Sequence, residues 1–243
     1  MKIEKIKKGI QTLQSCSLNL FYPVKCPFCG AIEQNGICGK CREKILVIRE
    51  PRCRKCGKPL RKAEEEFCYD CKALNHEFEE GRSLWVHKEP VSHAIYALKY
   101  QNKRIYGELF GREMAIEFSE YLIEKKVNLI VPIPLHRKRQ RVRGYNQTEI
   151  LADFIGRYTG ISVESGVLVR QKYTDPQKQL NDKQRRRNIR DAFAVKKEVW
   201  SKRIVLIDDI YTTGSTLDEA ARVLYRAGAE KVYFLTISIG QGY

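Results

Sequence analysis

No stretch of this chain is apolar enough, for long enough, to cross a bilayer. The longest uncharged run, Gly9 to Val24, is broken by Gln11, Thr12, Gln14, Ser15, Ser17 and Asn19, whereas a spanning helix needs about 20 apolar residues. The same polar residues deny a secretory leader its apolar region behind Lys2, Lys5, Lys7 and Lys8. The spacing of Ile3, Ile6, Ile10 and Leu13 predicts a short N-terminal helix instead, and a cytoplasmic protein. Acidic residues are scarce: 29 Asp and Glu stand against 45 Lys and Arg, a formal net charge of +16. That balance favours polyanionic partners (nucleic acid, nucleotide phosphates or an acidic membrane face) without choosing among them. Cysteine is missing altogether after Cys71, so whatever chemistry the nine cysteines perform belongs to the first third of the chain. With 43% hydrophobic and 30% charged residues, wholesale disorder is excluded.

Eight of the nine cysteines form four C-x-x-C pairs: Cys26/Cys29, Cys38/Cys41, Cys53/Cys56 and Cys68/Cys71. In a chain without an export signal such pairs read as metal knuckles rather than disulfides. A tight turn presents two thiolates side by side, and two turns complete a tetrahedral S4 site for zinc. Gly30, Gly39 and Gly57 stand at knuckle exits, where a positive φ is often required. Two structural zinc ions would replace the core that so short a segment cannot build, and eight bound thiolates would lower the net charge to about +12. Sequential pairing (Cys26, Cys29, Cys38, Cys41; then Cys53, Cys56, Cys68, Cys71) and an interleaved arrangement both satisfy the spacing. Iron–sulfur ligation and redox pairs are the competing chemistries. Cys16 is left over as a small buried hydrophobe.

Beyond residue 78 strands and helices alternate. The pattern predicts strands at Ser83–His87, Asn128–Ile133, Val167–Arg170, Ala192–Val195, Arg203–Ile207 and Val232–Ile237. Helices are predicted at Val91–Tyr100, Ile105–Lys125, Gln147–Tyr158 and Ser215–Ala227, the last with Leu217, Ala220, Ala221 and Leu224 on one face. Apolar strands alternating with helices imply a doubly wound α/β fold with a mostly parallel sheet. The expected organisation is an N-terminal helix plus double zinc ribbon over 1–78, then an α/β domain over 79–243.

Ligands of such sheets bind at the carboxyl ends of strands. After Ile207 come Asp208, Asp209, Ile210 and Tyr211, then Thr212-Thr213-Gly214-Ser215-Thr216 leading into a helix. Two adjacent carboxylates can accept hydrogen bonds from vicinal ribose hydroxyls. The Thr/Gly/Ser loop offers hydroxyls and free backbone N–H groups to a phosphate at a helix N-terminus. A sugar 5-phosphate suits both devices.

Val205-Leu206-Ile207-Asp208-Asp209 with Thr212–Thr216 resembles the phosphoribosyl pyrophosphate (PRPP) binding motif of type I phosphoribosyltransferases. Val131-Pro132-Ile133-Pro134-Leu135, then Arg137, Arg141, Arg143-Gly144-Tyr145-Asn146-Gln147, Gln177, Leu180, Arg187, Asn188 and Ala192-Phe193 narrow the resemblance. Together they resemble the ComF family of competence-associated proteins, which includes GntX-like members and in which a double zinc ribbon precedes the transferase-like domain. The resemblance implies a type I phosphoribosyltransferase-like fold with helices on both sheet faces, and a link to uptake of single-stranded DNA in natural transformation.

It also implies site roles. Asp208 and Asp209 hold the ribose hydroxyls, Thr212, Thr213, Gly214, Ser215 and Thr216 the 5-phosphate, and Arg137 and Arg143 the diphosphate with Mg²⁺. Asp208, Asp209 and Arg187 are the candidates for catalysis, Arg187 and Asn188 lying in a polar Lys172–Arg190 segment expected to be a mobile loop that closes over PRPP. Arg139, Arg141, Arg185 and Arg186 are candidates for nucleic-acid phosphates, with Tyr145, Tyr173 and Tyr211 near enough to stack on bases. His136, among Arg137, Lys138 and Arg139, should have its protonated form disfavoured. Three functions fit: a PRPP-binding protein that handles single-stranded DNA, a Mg²⁺-dependent phosphoribosyltransferase on a small acceptor, and a zinc-ribbon adaptor for a DNA-uptake helicase or translocase.

Overall fold

The structure, a computed structural model, describes residues 25–33, 36–173 and 182–240; within 182–186 only the side chain of Gln184 is described. Cys16 and the helix expected at Ile3–Leu13 lie outside these residues. The chain divides into two compact units at Ile45/Leu46. The boundary at residue 78 expected above separates compositions; the division at Ile45 separates packed bodies, and it leaves the second cysteine cluster with the α/β sheet.

In the first unit the Cys26 N–H donates to the Ala31 carbonyl at 2.7 Å and the Gly30 N–H to the Cys26 carbonyl at 2.9 Å. Gly30 takes φ +76°, the left-handed conformation that closes the knuckle. The second pair sits at the start of helix α1 (Gly39–Lys44), with Cys38 as its N-cap. Gly39 is therefore helical and not left-handed, because a helix start, rather than a turn, presents Cys41.

The second unit repeats this design. The Cys53 N–H donates to the Lys58 carbonyl at 2.8 Å, the Gly57 N–H to the Cys53 carbonyl at 2.9 Å, and Cys68 caps α2 (Tyr69–Ala73). The α/β part follows as β1 (Gly81–Val86), α3 (Val91–Tyr100), α4 (Arg104–Glu124), β2 (Leu129–Pro132), α5 (Arg137–Arg143), α6 (Gln147–Thr159), β3 (Ser162–Val163), β4 (Leu168–Arg170), α7 (Asp182–Ile189), β5 (Phe193–Val195), β6 (Arg203–Tyr211), α8 (Ser215–Arg226) and β7 (Lys231–Ile239). The main sheet is parallel throughout, in the order β1-β7-β6-β2-β3. Alternation along its strands splits the core in two. Leu129, Val131, Ile204, Leu206, Val232 and Phe234 share one buried core with Leu217, Ala220 and Leu224 of α8. On the opposite face Trp85 meets Phe110 of α4 edge-on at 5.5 Å. There α4 and α6 approach so closely that a Cβ at Gly111 would lie 2.7 Å from Phe154.

Several expectations change. β4 and β5 are strands, but they form an antiparallel pair of their own and do not join the main sheet. The basic stretch after Leu135, for which no helix is predicted above, is helical: His136 caps α5 by accepting from the Lys138 N–H at 3.2 Å, and Gly144 at φ +78° ends it. Within the expected loop 172–190, residues 182–189 form α7. The two acids are not past a strand tip but inside β6, which runs on to Tyr211.

Candidate functional site

The cysteine sulfurs gather as two groups, Cys26, Cys29, Cys38, Cys41 and Cys53, Cys56, Cys68, Cys71, each with its sulfurs within 4.8 Å of one another. This is the sequential pairing. The Cys29–Cys38 and Cys56–Cys68 sulfurs are 3.6 Å apart. Four thiolates at about 2.3 Å from a zinc ion lie about 3.8 Å from one another, so the donor sets fit two tetrahedral metal sites. Each site would be filled by protein thiolates alone, which suits a structural ion. Beside the second group Lys58 is buried, with its ammonium 2.5 Å from Asp70. Burial would lower the pKa of Lys58, but Asp70 and the Cys68 and Cys56 thiolates outweigh it and hold the pKa above its ordinary value.

The main cavity follows from strand lengths. β2 pairs with β6 only as far as Pro132↔Ile207, while β7 accompanies β6 to Tyr211↔Ile239. Beyond Ile207 one edge of β6 is uncovered, and Asp208 and Asp209 lie on that overhang. The vacated space is a cavity of about 810 Å³. Asp208, Asp209, Thr212, Gly214, Ser215 and Thr216 line it from β6 and the head of α8, and Lys138, Arg139 and Arg143 from α5.

Its base is tied from several elements. Ile133, just after β2, has its carbonyl accepting from Asn146 Nδ2 at 3.2 Å and Thr148 Oγ1 at 2.7 Å, while Asn146 caps α6. The Tyr145 hydroxyl donates to the Leu98 carbonyl. Asp209 is enclosed: Lys99 Nζ lies 2.7 Å from Oδ1, and Gln147 Nε2 donates to Oδ2 at 2.5 Å. Arg143 in turn donates to Gln147 Oε1 and stands over Tyr100, 5.2 Å from its ring centroid. Among the described residues the Asp208 carboxylate accepts a hydrogen bond only from the Asp209 N–H, at 2.8 Å. Burial, then the Asp209 carboxylate, push the Asp208 carboxyl up to about 7, against the pull of Lys99 and Arg170.

Not every expected residue reaches the cavity. Arg137 and Arg141 of α5 do not line it, and neither does Thr213, whose hydroxyl meets Ser215 Oγ at 2.8 Å. Arg187 is exposed on α7 and also outside the lining, and the side chains of Arg185 and Arg186 lie outside the described residues. Tyr211 and Tyr145 touch the cavity but are buried by packing and offer no open stacking face; Tyr173 is exposed, with Lys138 and Arg139 at 5.4 and 5.6 Å from its ring centroid. The pKa of His136 is lowered, as its surroundings predict, first by desolvation and then by Arg170, Lys138, Arg139 and Arg137. Conversely, the structure brings in Lys99, Tyr100, Arg104 and Arg170, none of which stood out in sequence. Gln147 belonged to a recognisable motif, but its carboxylate partner is 62 residues away.

Comparison with known proteins agrees with this construction. Residues 17–72 match the double zinc ribbon domain and residues 149–238 the phosphoribosyl transferase domain. The chain is 30% identical to Competence protein F of Haemophilus influenzae over 221 residues, covering 87% of this chain and 95% of that one. It is 28% identical to DNA utilization protein YhgH of Escherichia coli K12, with 81% and 94% covered, and 28% identical to Competence protein ComFC of Bacillus subtilis, with 79% of each covered. Two sequential cysteine clusters, a parallel sheet with acids on an overhanging strand, and likeness along nearly the whole length place this chain in the family of Competence protein F.

Proposed function

We propose that the cavity binds PRPP with Mg²⁺ and that the protein handles single-stranded DNA during DNA uptake, on the cytoplasmic side of the membrane. One observation carries the ligand reading: the overhang of β6 brings the acid pair and the 212–216 turn into a single cavity. Asp208, free of side-chain partners among the described residues, accepts from the ribose hydroxyls. Asp209, fixed by Lys99 and Gln147, orients that edge. Thr212, Ser215, Thr216 and the first N–H groups of α8 suit the 5-phosphate. Lys138, Arg139, Arg143 and Arg170 supply positive charge for the diphosphate. Mg²⁺, when bound, neutralises diphosphate charge, and Asp208 is the carboxylate suited to share it with phosphate oxygens and water.

Support for DNA handling comes from the relatives' names, competence and DNA utilization proteins, and from the cavity's rim. Tyr100 and Tyr173 are exposed there, each with a guanidinium or ammonium against its ring. Aromatic faces interleaved with cations suit an unpaired strand, whose bases stack while its phosphates are neutralised. A docking site for an uptake helicase or translocase is compatible with this reading.

The test is calorimetric titration of the zinc-loaded protein with PRPP and Mg²⁺, repeated with saturating single-stranded DNA. The expected result is PRPP binding that Asp208→Asn with Asp209→Asn abolishes while DNA binding persists. Binding unchanged in the double variant overturns the assignment of the cavity. A change in PRPP affinity with DNA present would show that the two sites are linked, since coupling is reciprocal.

A further inference from the structure

Between the second cysteine cluster and the head of α8 lies a polar relay whose centre, His76 and Asp218, belongs neither to the cysteine ligands nor to the cavity lining. The His76 side chain is wholly enclosed, its Nδ1 2.9 Å and 3.1 Å from the two carboxylate oxygens of Asp218. The Glu77 N–H donates to the same carboxylate at 3.0 Å, and the Asp218 N–H donates to the Gly214 carbonyl at 2.8 Å. The other ring nitrogen faces the Tyr211 hydroxyl at 3.5 Å. Gly214, at φ +78°, leaves no room between them: a Cβ there would lie 2.9 Å from the Tyr211 hydroxyl and 3.0 Å from His76 Cε1. On its far side His76 stacks on Phe78 at 4.8 Å. Phe78 and Tyr211 share one buried core with Cys53, Cys56 and Cys68. Contact is thus continuous from the cluster, through Phe78 and Tyr211, to His76 and the 214–218 backbone.

The relay has a chemical consequence. Asp218 stands in the first turn of α8, where a carboxylate competes with a phosphate for free N–H groups and repels it. Held by His76 and the Glu77 N–H, the carboxylate is turned toward residues 76–77. We propose that the 53–71 metal site sets the conformation of the 212–218 turn through His76, so that emptying the site loosens the turn and weakens its hold on a phosphate. The ligand half of this statement rests on the turn being a phosphate seat, as read above; the mechanical half does not.

The experiment is therefore run with two readouts on the full chain: hydrogen exchange of the 212–218 amides, and calorimetric affinity for ribose 5-phosphate. His76→Ala, with two zinc ions per chain verified by metal analysis, should exchange faster across the turn and bind ribose 5-phosphate roughly tenfold more weakly, as loss of a hydrogen bond to a charged group implies. His76→Asn, able to donate from near the position of Nδ1, should recover most of both. Wild-type protein stripped of metal should reproduce the faster exchange. Wild-type exchange and affinity in a metal-replete His76→Ala would overturn the proposal. If that variant loses metal, Tyr211→Phe carries the same test, and unchanged exchange there overturns it too. Exchange that responds in a protein whose loaded wild type binds no ribose 5-phosphate upholds the mechanical coupling and overturns the phosphate reading instead.

Discussion

The two cysteine clusters are built alike and situated differently. Each pairs a knuckle closed by a left-handed glycine, Gly30 at φ +76° and Gly57 at φ +75°, with a C-x-x-C at the start of a short helix. Around the first, Cys29 is exposed and a Cβ on Gly30 would meet nothing within 4 Å. Around the second, Cys53, Cys56 and Cys68 are buried in the core shared with Phe78, Tyr211 and Leu217, and Gly57 is pressed against the start of β1. The ligand chemistry is the same. What differs is whether anything else depends on the turn's shape, and every residue lining the main cavity belongs to the unit holding the second cluster.

That contrast can be broken most forcefully at the ligands. Cys56→Ser should reduce the metal content to one ion per chain and cost the larger unit more than about 4 kcal/mol, since a buried structural site contributes folding energy directly. Cys29→Ser should also lose one ion yet leave the larger unit's thermal transition within about 0.5 kcal/mol. Metal analysis with calorimetric melting checks both, and equal damage would remove the distinction. Next come the glycines. Gly30→Ala should cost about 1 kcal/mol for its left-handed φ alone. Gly57→Ala should cost about 2–4 kcal/mol in a denaturant melt, because its Cβ would fall 2.7 Å from the Gly81 carbonyl oxygen.

A third, smaller difference concerns charge. Lys58→Ala leaves Asp70 without its partner and should cost about 2 kcal/mol, an effect checked by the same melts; Ala31, the residue matching Lys58 in the first knuckle, carries no charge. The remaining effect is one of pH. With Asp208 raised to about 7 in the folded chain from 3.8, the unfolded chain loses its proton first as pH rises. Stability should therefore fall between about pH 4 and pH 7 and level off above. Asp208→Asn should recover roughly 4 kcal/mol at pH 8, about three pKa units of linkage, and nothing near pH 4. A flat difference across this range would show that burial and Asp209 do not hold the carboxyl protonated.

Sequence and structure agree where the signal is local. The C-x-x-C spacing, the apolar run of β2 and the stripe of α8 report their own neighbourhood, and the structure puts each where periodicity and turn chemistry put it. Disagreement begins where a partner from elsewhere decides. Leu168–Arg170 and Phe193–Val195 look like any other strands until each turns out to need the other. Lys99 ends an amphipathic helix and carries no motif, yet it neutralises Asp209. The extent of β6 was illegible because β7, not β6 itself, sustains it to Tyr211. Arg137 and Arg143 look equivalent along the chain, but α5 turns only Arg143 toward the cavity.

The long span of the His76–Asp218 contact also makes synthesis a matter of timing. The two residues are 142 positions apart, so at roughly 5–20 residues per second Asp218 follows His76 about 7–28 s later. For most of that interval the second cluster and Phe78 exist without β6, β7 or α8 to cover them. Thiolates waiting so long are open to whichever metal arrives first. An ion captured in that interval would be sealed in place by the last strands to emerge, so that the identity of the metal would be decided before the cavity has formed.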